Sequence, residues 1–367
     1  MIHDLSTFTR NSGFYKPKAF LITVKSFDLQ EIRARYLRSR AGKTGRIGSV
    51  ERRKVTQGGL VYLELENGVI SNYEILSFLT EPRGLDIARD AVAVSTENVV
   101  HVIRKDGVER IDNPWFSYIH TVQFNHRSGP DRILISSSGY DCIFEYDMSK
   151  FSQTWEWFAW ENGFRKGFDP KNGKDILLTR DAREASSFRA SGEHYLFIKD
   201  PEKQTLPTAQ RAAFINSVVY DANESGKLLG TFFHEGAVYR INMATGECEK
   251  IIGGMKSPHG GCNYHGQYMA TSTASGEIFF SDGNKISFTT LPGKPDELYD
   301  LEWLQNTVPF SDCLITIDAN RSAFVLIDPV SKQYDMLDFD PDWAIQDMAE
   351  IKYPETKELV YKVKEKL

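Results

Sequence analysis

The sequence predicts an all-β chain built from repeated four-strand units. The unit is clearest from Ile119 to Asp147, where a polar residue opens a short apolar strand and further strands follow across a turn and a small-residue loop. The same pattern returns from Ile215 to Asn242 and from Pro258 to Asp282. A four-strand unit that recurs about every forty residues is typical of a β-propeller blade. The fold class expected is therefore a β-propeller, and the elements below give it six blades.

The N-terminal region supplies three strands of the first blade. The segment Lys18 to Phe27 is an apolar strand, and two more are expected at Gly59 to Glu66 and Asn72 to Leu79. Asn67-Gly68 between the last two is a hairpin-turn pair, because both residues tolerate a positive φ. The polar, arginine-rich stretch 28–57 is an insert between the first strand and the second.

Four further blades and a second insert follow before the last blade. The second blade runs from Pro82 to Ile111, and the third ends in the aromatic strand Thr154 to Trp160. The stretch 161–211 breaks the rhythm with Gly, Pro and charged residues, as lids and binding loops do. The sixth unit opens at Tyr299 and ends near Asp338.

The segment Ala344 to Tyr353 has the pattern of an opening strand with no successors. Since the N-terminal blade lacks an opening strand, we expect the C-terminal strand to complete it. This closure would remove the exposed strand edges that an open row of strands leaves. The chain is thus predicted to be one domain, residues 1–367, with both inserts over the channel mouth and a loose tail at 355–367.

Composition limits the classes of function. The net charge of −6 argues against general nucleic-acid binding. The apolar runs are strand-sized, which argues against a transmembrane helix. The first residues lack the apolar region of a secretory signal, and the four cysteines stand alone, so a cytoplasmic location is expected.

Several blade boundaries resemble those of the six-bladed propellers of the gluconolactonase, strictosidine-synthase and NHL-repeat group. The similar segments are EPRGLDIA, SPHGGCN and HEGAVYRINMATGE. The resemblance covers most of the chain at the level of the fold. A gluconolactonase would imply a calcium-type site of Glu, Asn and Asp, of which only Asn216 fits. A histidine-and-amide set looks more like the propeller lyases, which use a metal, while the strictosidine-synthase branch works without one.

Aligning the blade openings places six polar side chains at one mouth of the channel. In order around the ring these residues are Gln346, Arg83, His120, Asn216, His259 and Tyr299. Two imidazoles and an amide oxygen suit a divalent metal, or one imidazole could be a general base. A solvated mouth without chemistry would look the same. Slipping the register by one residue would instead bring Asp300 and Asp347 into the channel.

Loops between the second and third strands open on the same face. They carry further candidate substrate-binding residues, namely Tyr140, Asp141, His234, Glu235 and Arg321, together with Glu97, Ser275 and Asn320. His234 is also a candidate third imidazole for the metal, beside His120, Asn216 and His259. For each single residue, an ordinary surface loop is the competing interpretation.

Charge on the inserts indicates the ligand class. The insert 28–57 has nine Lys/Arg against three Asp/Glu, so a basic cover would lie over an acidic barrel. We therefore favour an enzyme that binds a small anionic metabolite, a metal-assisted hydrolase, lyase or isomerase with His120, His259, Tyr299 and Arg83 as catalytic residues. Arg83, Asn216 and Gln346 would bind the substrate. The alternative is a non-catalytic propeller that binds a protein or nucleotide partner through its basic upper face.

Overall fold

The computed structural model describes residues 1–41, 55–127 and 131–367. The strands in chain order are β1 (Ile2–Asp4), β2 (Thr9–Arg10), β3 (Lys18–Ser26), β4 (Gln57–Glu66), β5 (Val69–Thr80), β6 (Leu85–Ile87), β7 (Ala91–Ser95), β8 (Val100–Arg104), β9 (Gly107–Ile111), β10 (Ile119–Phe124), β11 (Arg132–Ser137), β12 (Cys142–Asp147), β13 (Ser152–Phe158), β14 (Lys166–Asp169), β15 (Lys174–Thr179), β16 (Tyr195–Phe197), β17 (Ile215–Tyr220), β18 (Lys227–Phe232), β19 (Ala237–Asn242), β20 (Cys248–Ile252), β21 (Pro258–Tyr264), β22 (Gln267–Ser272), β23 (Glu277–Phe280), β24 (Lys285–Ser287), β25 (Leu304–Pro309), β26 (Leu314–Asp318), β27 (Ala323–Asp328), β28 (Gln333–Asp338) and β29 (Ala344–Glu350). The α-helices are α1 (Leu29–Ala41), α2 (Ala182–Ser191) and α3 (Pro354–Lys366). Short 3-10 turns lie at Leu5–Thr7, Ala159–Glu161, Thr208–Gln210, Thr273–Ser275 and Asp296–Leu298.

The described strands form seven sheets, six of which contain a run of four antiparallel strands. These six are sheet 1 (β29, β3, β4, β5), sheet 2 (β6 to β9), sheet 3 (β10 to β13), sheet 4 (β17 to β20), sheet 5 (β21 to β24) and sheet 6 (β25 to β28). The N-terminal strands extend two of them, because β1 pairs in parallel with β24 and β2 with β28. The seventh sheet, β14 to β16, lies within the insert 161–211.

The C-terminal strand pairs with the N-terminal sheet. β29 runs antiparallel to β3, with Met348 opposite Ile22 and Glu350 opposite Phe20. The C-terminal strand therefore belongs to a sheet whose other three strands, β3, β4 and β5, come from the N-terminal part of the chain. The hairpin after β4 has the expected turn, with φ of 52° at Asn67 and 77° at Gly68.

Apolar side chains are buried between successive sheets. One cluster lies between sheets 2 and 3, and similar clusters lie between sheets 3 and 4, 4 and 5, and 5 and 6. Another packs sheet 6 on sheet 1, through Phe324 and Leu326 against Phe20 and Ile22. A sixth packs sheet 1 on sheet 2, with Leu21 in the same cluster as strand β7. Each sheet is therefore covered on both faces, as the apolar content of its strands requires.

The first insert begins with an α-helix fixed to the sheets. Leu29 and Ile32 of α1 pack on Trp303, and the Arg33 guanidinium donates to the carbonyls of Ala319 at 2.6 Å and Asn320 at 3.0 Å. Arg33 is thus a structural residue. Four more basic residues of this insert, predicted to attract an anionic ligand, lie outside the described residues; they are Lys43, Arg46, Arg52 and Arg53.

The tail 355–367, predicted to be loose, instead contains most of helix α3. Leu359, Val360 and Val363 are buried against sheets 1 and 2. Their spacing puts the three side chains on one face of the helix. This apolar face packs on the sheets, although most of the other residues of the segment are charged or polar. Across the described parts of the chain, no helix has the length and apolar character needed to cross a membrane.

Candidate functional site

We call the first strand of each four-strand run the inner strand. Five inner strands have a register irregularity near their first residues, namely β10, β17, β21, β25 and β29. In four of these strands the irregularity leaves one residue without a partner on the neighbouring strand; these residues are His120, Asn216, Gln305 and Gln346. In β21 the irregularity comes directly after His259. A bulge of this kind re-aims a side chain at the strand end. Four of the six aligned residues, His120, Asn216, His259 and Gln346, thus lie at or directly before this irregularity.

Tyr299 is not part of this set, which corrects the predicted alignment of the sixth blade. The residue lies five positions before β25, and it is 81% exposed. Gln305 occupies the equivalent register and is buried, where its side-chain oxygen accepts a hydrogen bond from the Trp303 indole at 3.2 Å. The turn Asp296–Leu298 delays the start of the strand, and the sequence motif gave no sign of this.

His120 and His259 are neutral imidazoles at the upper end of the inner strands. Nδ1 of His120 lies 3.3 Å from the carbonyl of Tyr118, and Nδ1 of His259 lies 2.7 Å from the Thr273 hydroxyl. Burial lowers the pKa of His259 to about 3. Burial lowers the pKa of His120 well below its ordinary value, and the neighbouring His259 imidazole and the Arg211 charge add to the shift.

Replacing His259 with glutamine is expected to reduce the acid sensitivity of folding. Because the pKa of His259 is depressed in the folded state, its contribution to stability is complete above the unfolded value of 6.5 and is lost as pH falls toward 3. Between pH 7 and 5 the wild-type protein should lose about 1–2 kcal/mol more than His259→Gln. Urea denaturation at both pH values measures this, with the exposed His265→Gln as control. Equal losses in wild type and His259→Gln would contradict the assignment.

The predicted metal ligands do not form a four-residue set. His234 turns to the second insert, with Nε2 at 3.0 Å from the carbonyl of Thr208. The Asn216 amide donates to the carbonyl of Pro258 at 2.9 Å, and its Oδ1 has no hydrogen-bond partner among the residues that the structure describes. Within residues 1–41, 55–127 and 131–367, no three His, Cys, Asp or Glu side chains are placed to hold a metal ion.

Arg83 lies in a buried ion network at the same end. Its guanidinium contacts Glu81 at 2.7 Å and Glu97 at 3.1 Å, and it stacks on the Tyr118 ring at 3.7 Å from the centroid. The guanidinium is thus already engaged by two carboxylates, which leaves it poorly placed to pair a substrate anion. The second insert covers this network at Leu206 and encloses a cavity of only about 20 Å³, which is space for one water molecule.

The candidate loop residues fix the inserts and loops to the sheets. The Tyr140 hydroxyl donates to the carbonyl of Pro201, and the Asp141 carboxylate accepts three backbone N–H groups from the segment 212–215. Arg321 contacts Asp318 at 2.7 Å and donates to carbonyls of the segment 288–292. Glu235 is exposed. The structure therefore gives Tyr140, Asp141 and Arg321 structural contacts.

A larger cavity lies at the opposite, lower end of the same inner strands. Its volume is about 730 Å³. All six four-strand sheets contribute, through segments 85–89, 121–127, 217–222, 260–263, 306–309 and 347–353. The site residues predicted from sequence lie at the other end, because they are the polar residues that open each strand.

Asp347 is the buried carboxyl group of this lower cavity. Its oxygens accept hydrogen bonds from the backbone of Met348 at 2.9 Å and of Leu85 at 3.3 Å, and from the Asn306 amide at 3.1 Å. Burial raises the pKa of Asp347 to about 7, and the nearby charge of Asp86 adds to the shift. The one-residue slip considered above pointed to this residue, whereas Asp300 is exposed.

Asp347→Asn is expected to remove a pH-dependent loss of stability. A carboxyl group whose pKa is raised on folding stabilises the protein below its unfolded pKa of 3.8, and this contribution is gone once pH passes the folded pKa of about 7. Relative to wild type, Asp347→Asn should therefore gain about 2–3 kcal/mol between pH 5 and 8. Urea denaturation at the two pH values gives the difference. Stability curves that stay parallel would show that Asp347 titrates normally.

No protein-family model matches the chain, and no curated protein matches it by sequence. Among solved structures, a protein of unknown function from Bacteroides caccae is 11% identical with a TM-score of 0.54, covering 92% of this chain and 100% of that chain. A structure of a nidogen/laminin complex is 10% identical with a TM-score of 0.52, covering 90% of this chain and 98% of that chain. Virginiamycin B lyase from Staphylococcus aureus is 11% identical at a TM-score of 0.40, over 74% of this chain and 70% of that chain. The two likenesses with TM-scores above 0.5 confirm the predicted fold resemblance: the chain has an all-β, propeller-like architecture.

Proposed function

We propose that the chain is a single closed, six-bladed β-propeller that binds a small polar molecule at the lower end of its central channel. The pattern of contacts supports the closed ring. Inner strand β6 contacts β10, and the contacts continue from β10 through β17, β21 and β25 to β29, which contacts β6 again. The apolar clusters between sheets 6 and 1 and between sheets 1 and 2 support the same closure.

The lower cavity is the observation that carries the proposed function. Its volume of about 730 Å³ lies within the range of about 300–1,000 Å³ typical of small-molecule pockets. Strands from six sheets converge on it, and one of them brings a carboxyl group with a near-neutral pKa to its wall. Perturbed carboxyl groups in cavities are markers of functional sites.

Charges at the cavity suit a ligand with both hydrogen-bond acceptors and negative charge. Arg89 lines the cavity, is exposed and stacks on Tyr353 at 5.0 Å, and Lys352 lines it with 56% of its side chain exposed. Their exposure places these cations toward solvent, where they would attract an anion. Deeper, the protonated form of Asp347 could donate a hydrogen bond to the ligand. A small anionic metabolite therefore remains the proposed ligand class, with its site moved to the lower end.

Blocking the cavity at its edge tests the binding function. Ala222 lines the cavity and is exposed, so tryptophan there should narrow the opening without disturbing the core. A library of small carboxylates and phosphates, screened by ligand-observed NMR, should give ligands whose affinity falls at least tenfold in Ala222→Trp. The matched control is Val330→Trp, at a residue 87% exposed on the turn between β27 and β28. Ligands that bind Ala222→Trp as well as wild type would contradict the proposed site.

A further inference from the structure

An aspartate–histidine pair lines the lower cavity next to Asp347. Nε2 of His126 lies 2.8 Å from Oδ2 of Asp86, and both residues line the cavity. Asp86 is itself fixed, because its carboxylate accepts the backbone N–H of Phe124 at 2.7 Å and of Ile87 at 2.9 Å. A carboxylate held in this way fixes the orientation and protonation of the imidazole that it contacts.

Asp347 and His126 flank Asp86 on one wall of the cavity. The Asp347 carboxylate accepts the backbone N–H of Leu85, the residue directly before Asp86. Half of the His126 side chain is exposed, whereas Asp347 is buried. The wall therefore presents one deep carboxyl group and one imidazole nearer to solvent.

The two groups are tuned in ways that suit opposite roles. The hydrogen bond that His126 donates to Asp86 raises the pKa of His126, and burial raises the pKa of Asp347 to about 7. Near neutral pH, an ionised Asp347 can thus coexist with a protonated His126. The other charged groups that line the cavity are Lys352, whose charge lowers the pKa of His126, and Arg89, Arg127 and Glu350.

We propose that the lower cavity is a general acid–base site, in which Asp347 removes a proton from the bound molecule and His126 donates one to it. This inference rests on the proposed binding function. The substrate class is a small molecule with an acidic C–H bond and a heteroatom that gains negative charge when that bond breaks. The proton moves from carbon to the Asp347 carboxylate, the electron pair moves to the heteroatom, and the heteroatom takes the proton of the His126 imidazolium. Asp86 is a positioning residue, because it acts through His126.

The probe for this chemistry is 5-nitrobenzisoxazole. Removal of its ring C–H proton forms a nitrile, breaks the N–O bond and releases a phenolate, so the reaction needs only a base and an acid. The full chain should accelerate the reaction at least 100-fold over buffer, within the range of about 10²–10⁴ for positioned acid–base groups. Asp347→Asn should abolish the acceleration, and His126→Asn should reduce it at least tenfold. The exposed His265→Asn is the matched control and should retain the wild-type rate.

The pH profile separates catalysis from a merely structural role. The rate should rise as Asp347 ionises and fall as His126 loses its proton, which gives a bell-shaped profile. Asp86→Asn should move the whole bell to lower pH, since removing the negative charge lowers the pKa of both flanking groups. If Asp86→Asn lowers the maximum rate but leaves the profile at the same pH, the positioning role of Asp86 is overturned.

Binding of the same probe, followed by NMR, distinguishes the two proposals. If the probe binds the wild-type protein at the lower cavity but is not turned over faster than in buffer, the acid–base inference is overturned and the binding function is not affected. If the probe does not bind, the acid–base inference is overturned, while the carboxylate and phosphate library tests the binding function independently. Because His126 is half exposed, His126→Asn should fold normally. An unchanged rate in that variant would therefore overturn the inference even if Asp347→Asn fails to fold.

Discussion

Replacing Asp141 with alanine is expected to lower the free energy of unfolding by about 3–5 kcal/mol, because buried donors left unpaired cost about 1–3 kcal/mol each and these costs do not simply add. The fully buried carboxylate accepts the backbone N–H groups of Ala212 at 2.6 Å, Ala213 at 3.1 Å and Ile215 at 3.3 Å. These donors join the end of the second insert to the first residue of β17. Alanine offers none of them a partner. Urea denaturation of the full chain measures the loss.

Two variants calibrate that result. Asp141→Asn keeps one carbonyl oxygen and tolerates the φ of 55° at this position, so it should lose only about 1–2 kcal/mol. Asp282→Ala removes an exposed turn carboxylate that accepts the Asn284 N–H at 2.8 Å, and it should cost less than about 1 kcal/mol. If Asp141→Ala is no worse than Asp282→Ala, the carboxylate does not hold the insert to β17.

Arg83→Met is expected to destabilise the chain by a similar amount, about 3–5 kcal/mol. Arg83 is 1% exposed, and its guanidinium lies between the carboxylates of Glu81 and Glu97. Methionine replaces the aliphatic stem of arginine but leaves two buried negative charges without the cation between them. The loss should appear in the same denaturation experiment.

Restoring charge or removing it altogether should each recover stability. Arg83→Lys keeps the positive charge but cannot contact both carboxylates with the planar fork of arginine, so an intermediate loss is expected. The combination of Arg83→Met with Glu81→Gln and Glu97→Gln removes all three charges and should be more stable than Arg83→Met alone. If the triple variant is less stable than Arg83→Met, charge burial is not the cause of the loss.

The strand repeat could be predicted from sequence because each strand has its own local pattern. The hairpin at Asn67-Gly68 and the pairing of β29 with β3 both followed from local patterns and from counting strands. Helix α3 was missed because its apolar face is only a few residues wide and its stability depends on the sheets beneath it. Tyr299 was misplaced because a short turn moved the start of β25 to Leu304.

The candidate site was harder to predict because the sequence does not say which end of a channel is covered. The polar residues that open the inner strands do converge, but the insert 161–211 covers them through contacts such as that of Tyr140 with Pro201. These contacts join residues far apart in sequence and leave no local pattern. A one-residue shift of the predicted register pointed to Asp347, whereas the contact between His126 and Asp86 joins two different sheets.

Mapping the NMR shifts of a ligand from the carboxylate and phosphate library tests the central claim most directly. A ligand in the lower cavity should perturb the backbone amide signals of Leu85 and Met348, which both donate to Asp347. The same signals should be unaffected by that ligand in Ala222→Trp. Perturbations centred on His120 and His259 would instead place the binding site at the upper end of the channel and contradict this account.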